Sequence, residues 1–227
     1  MGKTNLYKEH SMQTEKQIRT FKGRRISITV LIALVALVGL VAIPGAGGQV
    51  IGKSPSQAAK QGIPKEKETI PGLYVTAREA YEKWKAAPEK VKILDVRTPE
   101  EYIFIGHTAM AWNIPSNLQT YEWDAGKQRF PMKPNPDFVS QVMKVAKPDD
   151  TILVMCRSGG RSALAVNRLA EAGFKNVYNI IDGMEGDVVD DPESVFLGQR
   201  LKNGWKNSGL PWTYDVDPDR MLLPGSR

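Results

Sequence analysis

Apolar residues are spread along the chain in two different ways. From Ile26 to Ile43 eighteen residues run without a charge, bounded by Arg24-Arg25 before and by Pro44-Gly45 after. As a helix this run is about 27 Å long, near the roughly 30 Å of a bilayer core, and it is apolar on every face, whereas a buried core helix carries a stripe. It predicts a transmembrane anchor or the apolar stretch of an export signal, with the basic flank held in the cytoplasm and everything after residue 48 exported. A run longer than the usual signal core, and Pro44 where small cleavage-site residues would stand, favour the anchor. The basic flank and the small residues after Ile43 favour cleavage.

From Leu73 onward, short apolar runs alternate with helical spacing. Thr76-Ala77-Arg78-Glu79 has the form of a capping box and predicts a helix through about Ala86, with Ala77, Ala80, Tyr81 and Trp84 on one face. Strands are expected over Val91–Leu94, ending at Asp95, over Ala111–Ile114, over Thr151–Met155 and over Val177–Ile181. Helices are expected from Asn135-Pro136 to about Ala146, from Ser162 to Ala172 with Gly173 closing it, and from Pro192 to Lys202. Alternation of strand and helix argues an α/β domain with a mainly parallel central sheet and helices on both faces. The chain thus divides into a basic flank (1–25), the apolar helix (26–43), a small-residue linker (44–72), the α/β domain (73–215) and a tail (216–227).

Charge changes this picture in one respect. The formal net charge of +6 would suggest an anionic partner, but residues 1–25 carry seven bases and two acids, so the other 202 residues are close to neutral. The basic excess belongs to the membrane-flanking segment, and no nucleic-acid partner is expected. One cysteine and two histidines leave no disulfide framework and no Cys/His metal set, and nothing in the sequence calls for a metal or cofactor.

The one cysteine stands at an informative place. In a parallel α/β domain ligands bind beyond the carboxyl ends of the strands, and the Thr151–Met155 run delivers Cys156 there, followed by Arg157-Ser158-Gly159-Gly160-Arg161 and a helix from Ser162. Two glycines let successive N–H groups converge on one point, and a helix N-terminus adds partial positive charge. The simplest anion for such a nest is the cysteine's own thiolate, stabilised further by Arg157 and Arg161. A buried structural cysteine would need neither the glycines nor the arginines. Both arginines are candidates for binding an oxyanion, Arg157 the more so because it adjoins the sulfur.

At these residues the sequence resembles the rhodanese sulfurtransferase family, over about residues 73–212. Leu94-Asp95-Val96-Arg97-Thr98-Pro99-Glu100-Glu101-Tyr102 and Gly106-His107-Thr108-Ala109-Met110-Ala111-Trp112-Asn113-Ile114-Pro115 are similar to its first two signatures, and Cys156 to Ser162 to its active-site loop. Gly173-Phe174-Lys175-Asn176-Val177-Tyr178 and Asp182-Gly183-Met184 fit the stretch that follows. The resemblance implies a single rhodanese-like domain in which Cys156 carries sulfur as a persulfide. A small sulfur-containing anion such as thiosulfate would be the donor and cyanide or a thiol the acceptor. Asp95, Arg97, Glu101 and His107 then have supporting roles: the Asp95/Arg97 pair at a strand end, Arg97 able to reach Glu101, and His107 as a hydrogen-bonded structural histidine rather than a base.

Loop length separates the rivals. Cysteine phosphatases close a phosphate ring with an arginine six positions after the cysteine, where this chain has Ser162, and arsenate reduction on a related loop would need a thiol from outside. A domain that holds sulfur or a partner without turnover is the other alternative. Two segments depart from the compact pattern: 116–134, with Tyr121, Trp123 and Phe130, and 187–204. Either could cap the site, bind a partner or simply pack over the sheet.

Overall fold

The computed structural model describes residues 62–223 and 225. The apolar run over 26–43 and its basic flank lie outside the described residues. Among those described, no helix is long and apolar enough to cross a membrane.

Five parallel strands form the central sheet: β1 (Tyr74–Val75), β2 (Val91–Asp95), β3 (Ala111–Asn113), β6 (Thr151–Met155) and β7 (Asn176–Ile180), in the order β1-β7-β6-β2-β3. The centre is β6, paired along its length with β2 (Val91 opposite Thr151, Asp95 opposite Met155) and with β7. Strand geometry turns alternate residues to opposite faces, so the near-continuous apolar run of β6 feeds two cores. Ile152 and Val154 join α3 (Phe138–Val145) and α4 (Gly160–Glu171) on one face, while Leu153 and Met155 join α1 (Ala77–Ala86) and α5 (Gly204–Asn207) on the other. Asp182, just past β7, ties the second layer together by accepting hydrogen bonds from the N–H groups of Ala77 (2.7 Å) and Gly204 (3.0 Å).

Most expected elements recur with edges moved by one to three residues. The Thr76 capping box is formed in full, and α1 ends at Ala86. Asn135 does not start α3: its side chain accepts from the Asp137 N–H and donates to the Pro115 carbonyl, and the helix begins at Phe138. Helix α4 starts at Gly160, two residues before Ser162, because Gly159 with φ of 98° supplies its N-cap.

The helix expected over Pro192–Lys202 is not there. That segment belongs to a hairpin of β8 (Asp187–Val188) and β9 (Arg200–Lys202), and local side-chain bonds replace helical ones within it. Asp191 accepts from the Glu193 N–H (3.0 Å) and Ser194 from the Phe196 N–H (3.2 Å). Its ends are pinned where Gly186 and Gly204 touch; a Cβ on Gly204 would lie 2.4 Å from the Gly186 nitrogen. Segment 116–134 is also a hairpin, of β4 (Asn117–Gln119) and β5 (Met132–Pro134), with Trp123 packed edge-to-face on Phe130 at 5.2 Å.

Both flanks of the domain are attached to it. In the part read as linker, a turn at Lys65–Lys67 packs on the domain: the Lys67 carbonyl accepts from Asn179 Nδ2 (3.1 Å), its ammonium pairs with Asp187 (2.9 Å), and the Ile70 N–H donates to Asn167 (2.7 Å). The tail returns beside β3, where the Leu222 N–H donates to the Asn113 carbonyl.

Candidate active site

Cys156 follows the last residue of β6, at the carboxyl edge of the sheet. The turn that carries it is held from behind. The Cys156 carbonyl accepts from the Met184 N–H (2.8 Å) and the Arg157 carbonyl from the Glu185 N–H (2.9 Å). Two glycines make the close approach feasible. A Cβ on Gly159 would lie 2.2 Å from the Ile181 carbonyl oxygen, and one on Gly183 2.6 Å from the Cys156 carbonyl oxygen. Gly159 thereby aims its N–H at the sulfur, 3.2 Å from Cys156 Sγ, and the Ser162 hydroxyl stands 3.4 Å from the same atom.

Cys156 is 1% exposed, at the floor of a pocket of about 320 Å³ lined also by Glu101, Met132, Arg157, Ser158, Gly160 and Arg161. The two loop arginines differ in availability. Arg161 is engaged by Glu101 through two bonds of 2.6 and 2.7 Å. Arg157 is exposed, and its guanidinium has no hydrogen bond or ion pair among the described residues. A small anion entering the pocket therefore meets one uncommitted cation beside the sulfur.

Glu101 belongs to α2 (Pro99–Ile105), where it also completes a capping box with Thr98. Burial alone would raise its pKa, but the bonds and charge of Arg161 outweigh it and hold the carboxyl below its ordinary value. The expected Arg97–Glu101 pair is therefore not formed. Arg97 turns inward instead, makes a fully buried pair with Asp95 (2.6 Å at the shortest) and donates to the Gly106 carbonyl, which leaves Glu101 free to face the pocket. His107 is buried, stacked on Tyr102 with Nδ1 3.1 Å from the Tyr102 carbonyl oxygen, and away from the sulfur's hydrogen bonds. Asp95, Arg97 and His107 thus sit in the scaffold behind the loop, whereas Glu101, Cys156, Arg157, Ser158, Gly160 and Arg161 line the pocket and Ser162 is buried beneath it.

The chain is similar to known proteins over much of this domain. The model of the rhodanese-like domain matches residues 76–188. An uncharacterised protein of Rickettsia prowazekii is 34% identical over 125 residues, covering 54% of this chain and 82% of that protein. The chain belongs to the rhodanese family. Thiosulfate sulfurtransferase 16, chloroplastic, of Arabidopsis thaliana is 40% identical over 92 residues, covering 40% of this chain and 69% of that enzyme. A crystal structure of a protein from M. tuberculosis is 26% identical and covers 62% of this chain and 96% of its own, with a TM-score of 0.49.

Two residues of this rhodanese site escape a reading of the sequence. Met132 lines the pocket from β5, its sulfur 3.7 Å from Arg161 Nη1, and nothing local marks a methionine in an exposed hairpin for that place. Asn179 lies under the loop and bonds Ser162. Its one signal is an amide between Tyr178 and Ile180 in a strand whose Val177, Asn179 and Ile180 are buried.

Proposed function

We propose that the protein is a sulfurtransferase that moves sulfane sulfur from thiosulfate, or a similar small anion, to a thiophilic acceptor such as cyanide or a thiol. The Cys156 thiolate attacks the outer sulfur of the donor, the sulfur–sulfur bond breaks, and sulfite leaves with the electron pair, giving a Cys156 persulfide. The acceptor then takes the outer sulfur and returns the thiolate. Charge on the attacking and then the terminal sulfur falls within reach of the loop N–H groups and the α4 N-terminus, where fixed donors stabilise it.

The observation that carries this reading is the Gly159 N–H directed at Cys156 Sγ at the floor of a pocket whose rim bears the unpaired Arg157. The name of the Arabidopsis relative agrees with it. A phosphatase reading is disfavoured by Ser162, buried and bonded inward at the position where an arginine would be required. Thiocyanate formation from thiosulfate and cyanide tests the proposal: wild type should turn over, Cys156→Ser should not, and turnover surviving that substitution would refute it.

The same reading puts the domain outside the cytoplasm, on the strength of the uncharged run that follows Arg24-Arg25. Membrane fractionation with N-terminal sequencing should find the domain outside the cytoplasmic compartment, carrying residues 26–43 if they anchor it and lacking them if they are cut. Intact chain found only in soluble cytoplasm would contradict export.

A further inference from the structure

Behind the sulfur lies a closed set of polar groups in which protons and acceptors can be counted. Asn179 Nδ2 has two protons and two acceptors, the Lys67 and Gly159 carbonyls, each at 3.1 Å. That fixes the amide, so Oδ1 must be the atom 2.7 Å from the Ser162 hydroxyl. Ser162 has a single proton and three acceptors within reach: Asn179 Oδ1 at 2.7 Å, the Gly159 carbonyl at 3.0 Å and Cys156 Sγ at 3.4 Å. The Gly159 carbonyl is already supplied by Asn179 and by the Ala163 N–H, which leaves the amide oxygen and the sulfur in competition. Ser162 and Asn179 are 0% exposed and Cys156 1%, so water does not stand in for the losing bond.

We propose that Asn179 is a positioning residue that holds the Ser162 hydroxyl proton while Cys156 is a neutral thiol and yields it to the sulfur, by rotation of the hydroxyl, when Cys156 becomes a thiolate. In the thiol state the S–H donates to the Ser162 oxygen and the hydroxyl donates to Asn179. In the thiolate state the hydroxyl joins the Gly159 N–H on the sulfur and Asn179 Oδ1 goes without a donor. Asn179 therefore restrains ionisation and Ser162 promotes it, two opposite effects through one proton. This inference rests on the sulfurtransferase reading for its purpose, since it sets how much nucleophile the loop holds.

None of the other charges around the loop is altered in the variants below, among them Glu185, whose N–H holds the Arg157 carbonyl and whose Oε1 is buried without a partner. Arg161 is held by Glu101 and Asp95 by Arg97; Asp182 is held by the Ala77 and Gly204 N–H groups and Lys67 by Asp187, while Arg157 faces solvent.

The test is the pH profile of Cys156 alkylation by iodoacetamide in the full chain, with near-UV circular dichroism as a check of folding. Ser162→Ala should move the midpoint up by about one pH unit, roughly tenfold in rate below it, and Ser162→Thr should restore it. Asn179→Leu should move the midpoint down, and Ser162→Ala with Asn179→Leu should match Ser162→Ala alone, because the proposal routes the effect of the amide on the sulfur through the hydroxyl. If the leucine variant does not fold, Asn179→Val repeats the test. Movement of the midpoint upward in the Asn179 variant, or effects that add, would overturn the proposal. Sulfur loading from thiosulfate, read by mass on the same samples, reports separately on the sulfurtransferase reading.

Discussion

Gly159 performs three tasks: it turns the chain with φ of 98°, lets the loop touch the Ile181 carbonyl, and points an N–H at the sulfur. An alanine there meets both left-handed strain and a hard overlap with backbone. Gly159→Ala should lower stability by about 3 kcal/mol in chemical denaturation, and abolish sulfur loading in whatever fraction folds. Glu101 acts by charge instead. Its carboxyl is held below its ordinary value by Arg161, so the pair contributes fully above that ordinary value and is lost as pH falls through the depressed one. Glu101→Gln should cost about 2 kcal/mol at neutral pH, and the gap to wild type should close as denaturation is repeated below about pH 4. A gap that stays constant into acid would show that packing, not charge, is what the glutamine disturbs.

Elements differ in how far they could be read before the structure. β6 was legible because its apolar run has only one interpretation at that length, and α1 because Thr76 and Glu79 cap each other. α2 carried an equivalent signal in Thr98 and Glu101, obscured by the larger motif around it. The 192–202 segment misled because its charges and apolar residues have helical spacing, while Asp191, Ser194 and Gly198 favour turns that the spacing does not record. Which residue pairs with Arg97 could not be read either, since Asp95 and Glu101 are both within reach in sequence and only the inward turn of the guanidinium decides. The β4–β5 hairpin is latched to α2 through the Tyr121 hydroxyl and Glu100 (2.7 Å) and brings Met132 to the pocket, while Tyr121, Trp123 and Phe130 stay exposed. Met132→Ala should therefore change KM for donor or acceptor several-fold with melting temperature nearly unchanged. An unaltered KM would remove the hairpin from the site.

At the scale of the whole molecule, the sheet forms the frame and its carboxyl edge carries the Cys156 loop. The two cores fix β6 from both faces, and the turn after β7 holds the Cys156 and Arg157 carbonyls through the N–H groups of Met184 and Glu185. Around this frame lie two hairpins, a tail beside β3, and the turn at Lys65–Lys67, whose Lys67 carbonyl reaches the polar set under the loop. The central claim is that a single thiol collects sulfur, and the intact mass of the protein after incubation with thiosulfate tests it most directly. Wild type should gain one sulfur atom, release it on addition of cyanide, and show no gain with Cys156→Ser. A wild-type mass unchanged by thiosulfate, or a sulfur adduct that persists in the serine variant, would contradict the account.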